Sequence, residues 1–196
     1  MKQMVHRGAW AVVLSVAVGA CGSSSMSDDK SGVHDSDAAA SPLASDAETP
    51  PVTQGADVEA WLAAGSYKSW RCEMMSHAQM KVSPHGKNLI CSNDKVATFT
   101  GALGTERPVG SAAVKELYDD SGALRGYAVY VKTQATSSGG ASWYWYERIG
   151  ANVVADGLGD TGAAKSICVG CHVAAGSDDP HSLTGSSDFV YAQISN

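Results

Sequence analysis

Hydrophobic and polar residues alternate along three segments in the second half of the chain. These segments cover residues 111–118, 126–133 and 142–148. In the third segment, Trp143 and Trp145 fall on one face of an extended strand, and Tyr144 and Tyr146 fall on the other. Turn-forming glycines, serines and aspartates separate the segments. The pattern therefore predicts an antiparallel meander.

Helical spacing of apolar residues appears nearer the start of the folded part. Residues 56–64 predict a short helix that ends at Gly65. Its apolar positions are Val58, Trp61 and Leu62. Residues 88–92 predict a strand, and Asn93 is placed to cap a second short helix that ends at Phe99.

The last part of the chain predicts one further helix. A glycine-rich connector at 157–162 leads into a helical segment over 163–175, which Gly176 stops. Together with the meander, these elements predict an α+β fold. We expect a mainly antiparallel β-sheet with flanking helices.

The first 20 residues have the pattern of a bacterial export signal. Lys2 and Arg7 give a positive start, and the apolar run at 9–20 is short for a membrane span. Small residues precede Cys21, as in the lipobox of bacterial lipoproteins. We therefore expect cleavage after residue 20 and a lipidated Cys21 that anchors the protein to a bacterial membrane, facing the periplasm or the cell surface. An ordinary secretory signal beside a chance cysteine is the alternative.

Residues 21–55 predict a disordered tether. They are rich in Ser, Asp, Ala and Pro and hold almost no large apolar side chain, so they cannot bury enough surface to offset their ordering entropy. The remaining residues, 56–196, are enough for one folded domain. The net charge of -6 gives no basic surface and argues against nucleic acid as a partner.

One motif predicts specific chemistry. Cys168 and Cys171 have two residues between them, and His172 follows at once. This spacing is the attachment signature of c-type haem. The two thiols add to the vinyl groups of the porphyrin, and the imidazole becomes an axial ligand of the iron. We therefore expect covalently bound haem c, with its iron, packed beside the sheet.

Two other interpretations use the same cysteines. A zinc ion would have four thiolate ligands if Cys72 and Cys91 joined Cys168 and Cys171. A Cys-x-x-Cys pair also serves as a thioredoxin-like redox centre. Export favours haem over both. Once Cys21, Cys168 and Cys171 are assigned, two cysteines are left, Cys72 and Cys91. In an oxidising compartment such a pair predicts a disulfide.

Other candidate ligands are less specific. Met74, Met75 and Met80 are candidates for a sixth haem ligand, as in electron-transfer cytochromes, although methionine is more often a core side chain. His85 stands between a proline and a glycine, which predicts a turn or surface position; a position near the haem is the alternative.

Several short segments stand in a fixed order around the haem motif. They are 67–70, 85–86, 110–117, 127–132, 142–145, 168–172 and 188–191. In this order they resemble the cytochrome P-460 and cytochrome c′-beta family. The resemblance implies a mainly antiparallel sheet, usually a homodimer, and an iron with a proximal histidine and an open or water-bound sixth position. In the P-460 branch a lysine is cross-linked to the porphyrin and hydroxylamine is oxidised, whereas the c′-beta branch has no cross-link and binds small gases such as nitric oxide.

Lys115 matches the cross-linking lysine of that family. From the residues alone, alternation puts Lys115 on one face with Ala113 and Leu117, where a lysine either snorkels at a rim or serves a site. The hydroxylamine-oxidising members use a distal carboxylate on the strand that here covers 127–132, and this strand contains no acid. Alternation directs the nearby Glu116 away from Lys115.

The expected function is an exported mono-haem cytochrome with an open distal site, which binds nitric oxide or oxidises a small nitrogen compound such as hydroxylamine. One alternative is an electron-transfer cytochrome with histidine and methionine ligands. Another is a non-haem zinc or dithiol module. The expected partners are a small gas or nitrogen compound, a redox partner protein and, through Cys21, a membrane. A homodimer is implied by the resemblance alone.

Overall fold

A computed structural model describes residues 49–79, 83–178, 181, 183, 185–191 and 194 of this chain. The expected signal peptide, the lipidation site Cys21 and Met80 lie outside the described residues, as does most of the expected tether. Within the described ranges, no helix combines the length and the apolar character needed to cross a membrane.

In the described part of the chain, six strands form one antiparallel sheet, and their order in space is their order along the chain. The strands are β1 (Arg71–Cys72), β2 (Lys87–Ser92), β3 (Ala112–Tyr118), β4 (Leu124–Lys132), β5 (Trp143–Ile149) and β6 (Asn152–Leu158). Each strand pairs with the next one in antiparallel register. This meander, with its flanking helices, confirms the predicted α+β class.

The sequence did not predict β6. It placed a connector at 157–162, whereas strand pairing continues to Leu158. β6 is the last strand of the sheet, and Val153 in it is 56% exposed. The strand also contains Asp156 and Gly157, residue types that strands disfavour. Alternation is weak along such an edge strand, so the pattern did not reveal it.

Two predicted helices are confirmed. α1 covers Gly55–Ala64 and ends at Gly65, whose φ of 73° lies in the left-handed region that glycine adopts readily. α2 covers Asp94–Ala97 and is capped by Asn93, whose side-chain oxygen accepts a hydrogen bond from the backbone N–H of Val96 at 3.2 Å. α2 ends two residues before Phe99, where the sequence predicted its end.

The Cys-x-x-Cys-His motif lies on a helical segment, here called the motif helix. Ala164–Val169 has the wide turns of a π-helix, and Gly170–His172 continues it as the short α-helix α3. Residues 173–177 follow as turns, so the regular helix ends at the histidine and not at 175 as predicted. π-helical turns are frequent at functional sites.

A hydrophobic core lies on each face of the sheet. On one face, Tyr144 and Tyr146 pack with residues of α1. On the other face, Trp143 and Trp145 pack with residues of the motif helix. The sequence predicts this same division of the four aromatic side chains.

A disulfide joins Cys72 of β1 to Cys91 of β2, which confirms the prediction from the cysteine count. The two residues are direct partners in the antiparallel pair, so the bridge fixes the short edge strand to the sheet. The two cysteines are 19 positions apart, and closing a loop of that length stabilises the fold by about 3 kcal/mol in the chain-entropy account. Because their sulfurs are bonded to each other, these two cysteines cannot serve as thiolate ligands of zinc.

Candidate functional site

A cavity lies between the sheet and the motif helix. It encloses about 890 Å³, including its open mouth, and its walls are mostly apolar. The residues expected at the haem line it: Lys115, Cys168, Cys171 and His172. His85 lines it too. The structure therefore brings together the three side chains of the Cys-x-x-Cys-His motif and the lysine that the family resemblance implies.

The pairing register places two charged side chains in one row across the floor of the cavity. Lys115 of β3 pairs with Ala128 of β4, which pairs in turn with Glu147 of β5. In the next row on the same face, Ala113 pairs with Tyr130. All five residues line the cavity. Because the two alanines take little room, space remains above the centre of the sheet.

Two glycines let the motif helix approach the loops at the end of the sheet. A β-carbon on Gly140 would lie 2.7 Å from a methyl group of Val169, and one on Gly159 would lie 2.1 Å from the carbonyl oxygen of Gly140. Gly140 also has a φ of 98°, which residues with side chains rarely adopt. Val169 stands between the two cysteines of the motif, so this close packing fixes where their thiols enter the cavity.

The thiols of Cys168 and Cys171 are free. Cys168 is buried, and burial, with smaller contributions from Glu147 and Cys171, raises the pKa of its thiol to about 12. The reactive cysteines of thioredoxin-like pairs have lowered pKa values instead. The surroundings of Cys168 therefore do not favour the dithiol redox alternative.

A backbone carbonyl holds the imidazole of His172. Burial lowers the pKa of His172 to about 3, so the ring is neutral at pH 7. Its Nδ1 lies 2.6 Å from the carbonyl oxygen of Phe189. Because a carbonyl only accepts, Nδ1 carries the proton and Nε2 keeps its lone pair. The rings of Trp145 and Tyr191 pack at centroid distances of 4.7 and 4.9 Å and restrict the imidazole further.

Lys115 lies on the cavity face of β3, as alternation predicts. Burial lowers the pKa of its amine to about 8, and nearby carboxylates, including Glu147, offset only part of that effect. The carboxylate of Glu116 is directed to the opposite face, where it accepts hydrogen bonds from the hydroxyls of Tyr67 and Tyr118. Near pH 8, Lys115 is therefore a partly unprotonated amine inside the cavity.

His85 and Glu147 form a buried hydrogen-bonded pair in the cavity wall. Nδ1 of His85 lies 3.3 Å from a carboxylate oxygen of Glu147, and the two side chains are 11% and 7% exposed. Burial lowers the pKa of His85, which favours the neutral ring, so Nδ1 donates to Glu147 and Nε2 is an acceptor. The turn predicted at His85 is confirmed, but the predicted surface position is wrong, because the imidazole is directed inward to the carboxylate of Glu147.

Glu147 was not predicted as a site residue, although the pattern contained a signal for it. Glu147 follows Trp143 and Trp145 at a spacing of two on β5, so it shares their face. The pairing with His85 gave no such signal, because the two residues are 62 positions apart.

The methionines proposed as sixth ligands do not line this cavity where the structure describes them. Met74 and Met75 are 99% and 72% exposed, and neither belongs to the cavity wall. Met80 lies outside the described residues.

Compared with models of known protein families and with curated proteins, the chain matches none.

The residues of the cavity fit covalently bound haem. In the described part of the chain, no group of three or more His, Cys, Asp or Glu side chains is placed to hold a bare metal ion. Haem brings four nitrogen ligands of its own, so its iron needs only an axial imidazole from the protein. The two free thiols, the Nε2 lone pair of His172 and the apolar walls meet the remaining requirements.

Proposed function

We propose that this chain is an exported mono-haem c-type cytochrome with an open coordination position for a small ligand. Cys168 and Cys171 would hold the haem covalently, and Nε2 of His172 would be the axial ligand. The observation that carries the proposal is the hydrogen bond between Nδ1 of His172 and the carbonyl of Phe189, because it leaves Nε2 with its lone pair in a cavity that both thiols also line.

Within this class, we propose membership of the cytochrome P-460 and cytochrome c′-beta family. Three features support it: the order of the short sequence segments, the antiparallel sheet, and the presence of Lys115 in the same cavity as the haem motif. The cross-link between Lys115 and the porphyrin is part of this proposal. An amine whose pKa is lowered to about 8 supports it, because only the unprotonated form has a lone pair for bond formation. The new C–N bond would replace a C–H bond of the porphyrin, and the two electrons and two protons released would pass to a two-electron oxidant such as a peroxide.

Bound haem would supply an iron that takes a small ligand and exchanges single electrons. The protein supplies the surroundings. The apolar walls limit water, and the neutral imidazole of His172 is fixed in one tautomer. Binding of nitric oxide needs no more than this, so it is the function that the geometry supports best.

Oxidation of a small nitrogen compound such as hydroxylamine is the second candidate, and the His85–Glu147 pair favours it. Such oxidation releases protons, which a nearby base must accept. Nε2 of His85 is an acceptor in the cavity wall, and Glu147 would stabilise the ring once it is protonated. The strand expected to carry the carboxylate has none, but Glu147 lies beside Ala128 of that strand.

We also propose that Cys21 is lipidated and that the tether lets the domain reach partners away from the membrane. A redox partner protein would exchange electrons with the haem. If Cys21 is the anchor, mass spectrometry of the wild-type N-terminal peptide should find acyl chains on Cys21, and Cys21→Ser should carry none.

Absorption spectra of the reduced protein, with and without nitric oxide, test the open site. We expect a clear shift of the main haem band on adding the gas. A spectrum that does not respond would contradict an open position. The double variant Met74→Ala/Met75→Ala and the variant Met80→Ala should leave these spectra and the spectrum of the oxidised protein unchanged. A histidine–methionine cytochrome would instead lose the sulfur-to-iron band of its oxidised form in one of these variants.

A further inference from the structure

The backbone that supplies the carbonyl to His172 has an unusual conformation. Asp188 and Phe189 both have positive φ angles, 46° and 68°. Residues with a β-carbon disfavour this left-handed region, so the rest of the structure must hold the chain there. A backbone bridge between Ser187 and Val190 closes the turn around the two residues.

The carboxylate of Asp188 is the centre of the contacts that hold this turn. It accepts hydrogen bonds from the backbone N–H of Arg107 at 2.6 Å, from Nζ of Lys132 at 2.8 Å, and from the hydroxyl of Ser137. The side chain of Asp188 is 5% exposed and that of Lys132 is 0% exposed. A buried ion pair with this many hydrogen bonds fixes geometry, and breaking one side of it leaves an unpaired buried charge.

The guanidinium of Arg107 holds the same turn from its other side. It donates to the carbonyl oxygen of Gly185 at 2.6 Å and to that of Ser187 at 3.4 Å. Arg107 is 1% exposed. The turn is therefore tied to two separate parts of the fold by buried cations.

We infer that Asp188 is a positioning residue for His172: its ion pair with Lys132 holds the left-handed turn that aims the Phe189 carbonyl at Nδ1. The direction of a carbonyl depends on the φ and ψ angles around it, so relaxing the turn moves the acceptor away from the imidazole. The hydrogen bond determines which ring nitrogen carries the proton. The effect of this hydrogen bond on a bound iron rests on the proposed function. The tautomer of His172 does not, because it can be measured without haem.

The test uses the full chain, exported from a host that matures cytochromes, as wild type and as Asp188→Ala, Asp188→Asn and Glu106→Gln. Glu106 is the matched control, because its carboxylate lies 3.9 Å from the same Nζ of Lys132 but is 43% exposed. If the protein carries haem, the readouts are the iron–imidazole stretching frequency and the reduction potential. If it carries none, the readout is the His172 tautomer, from nitrogen-15 shifts of the same purified protein.

In the haem-loaded protein, we expect both Asp188 variants to lower the stretching frequency and raise the potential, because an imidazole that has lost its Nδ1 acceptor is a weaker electron donor. In haem-free protein, we expect wild type to show only the Nδ1–H form and the variants to show a mixture. Glu106→Gln should match wild type in every readout.

Folded Asp188 variants with unchanged readouts would overturn the inference. So would a haem-free wild-type protein with the proton on Nε2, a measurement that needs no variant to fold. For haem-loaded protein, a wild-type iron–imidazole stretching frequency typical of an imidazole without an Nδ1 acceptor would also overturn the inference. Absence of haem counts against the proposed function and leaves the tautomer test intact.

Discussion

Lys115 and Glu147 lie in a single cross-sheet row, on either side of Ala128. At the usual spacing of strands, their α-carbons are about 10 Å apart. Both side chains line the same cavity as the Cys-x-x-Cys-His motif. The apolar cavity thus has the amine of Lys115 on one side of its floor and the carboxylate of Glu147, which is hydrogen-bonded to His85, on the other.

The first prediction concerns a covalent link at Lys115. We expect proteolysis of the haem-loaded protein to give one haem peptide that contains Lys115 together with the motif cysteines. Lys115→Arg should keep the haem on Cys168 and Cys171 but lose the third attachment, because a guanidinium stays protonated. Mass spectrometry of the digests checks this. Lys115 recovered in an unmodified peptide from wild type would contradict the cross-link.

The second prediction follows from the lowered pKa of Lys115. In the unfolded chain the amine has its ordinary pKa of 10.5, whereas in the fold it is about 8. Between these values the unfolded state binds more protons, so this lysine makes the fold more stable as pH rises from 8 to 10.5 and costs most below pH 8. In haem-free Cys168→Ala/Cys171→Ala protein, Lys115→Met should therefore stabilise the fold at pH 7 by about 1–3 kcal/mol.

Denaturant unfolding at pH 7 and pH 10 measures this difference, with the exposed Lys68→Met as control. The gain from Lys115→Met should shrink at the higher pH, and the control should show no such trend. If Lys115→Met lowered the free energy of unfolding at pH 7, burial of the charged amine would not be destabilising the fold.

The third prediction separates binding from oxidation. Glu147→Gln removes the charge that stabilises a protonated His85, so we expect hydroxylamine oxidation to slow by about 10²-fold while nitric oxide binding is unchanged. Glu116→Gln is the matched control, since that carboxylate lies on the opposite face of the sheet. Stopped-flow oxidation assays and gas titrations check both. Equal rates in wild type and Glu147→Gln would remove the His85–Glu147 pair from the chemistry.

The fourth prediction compares two glycines near the motif. A β-carbon on Gly159 would lie 2.1 Å from a backbone oxygen, so Gly159→Ala should cost about 1–3 kcal/mol and reduce haem incorporation. Gly170 lies in the motif itself with helical angles, and its β-carbon would meet only an oxygen at 3.8 Å. Gly170→Ala should stabilise the protein by about 0.5–1 kcal/mol. Thermal unfolding ranks the two variants, and a Gly159→Ala protein more stable than Gly170→Ala would contradict the close packing of Gly159 against the backbone of Gly140.

The sequence predicted the parts of this fold that local periodicity determines. Alternation gave the central strands and the face of Lys115, and helical spacing with Gly65 gave α1. β6 was not predicted, because this edge strand, which contains Asp156 and Gly157, has little alternation of hydrophobic and polar residues.

The site was predictable only where one motif contained it. The Cys-x-x-Cys-His motif and the face of Lys115 came from the sequence, and the face of Glu147 follows from the period of β5. The role expected for Lys115 came only from the family resemblance. The His85–Glu147 pair and the hydrogen bond from His172 to Phe189 depend on contacts between distant segments. The second of these also depends on a left-handed turn at two residues that are not glycine, for which the sequence has no signal.

The most direct test of the central claim is the intact mass and absorption spectrum of the full chain exported from a cytochrome-maturing host. We expect a coloured protein whose mass, after denaturation, includes one haem, with no haem bound in the Cys168→Ala/Cys171→Ala variant. A colourless wild-type protein whose two motif thiols are free or hold a metal ion would contradict the account.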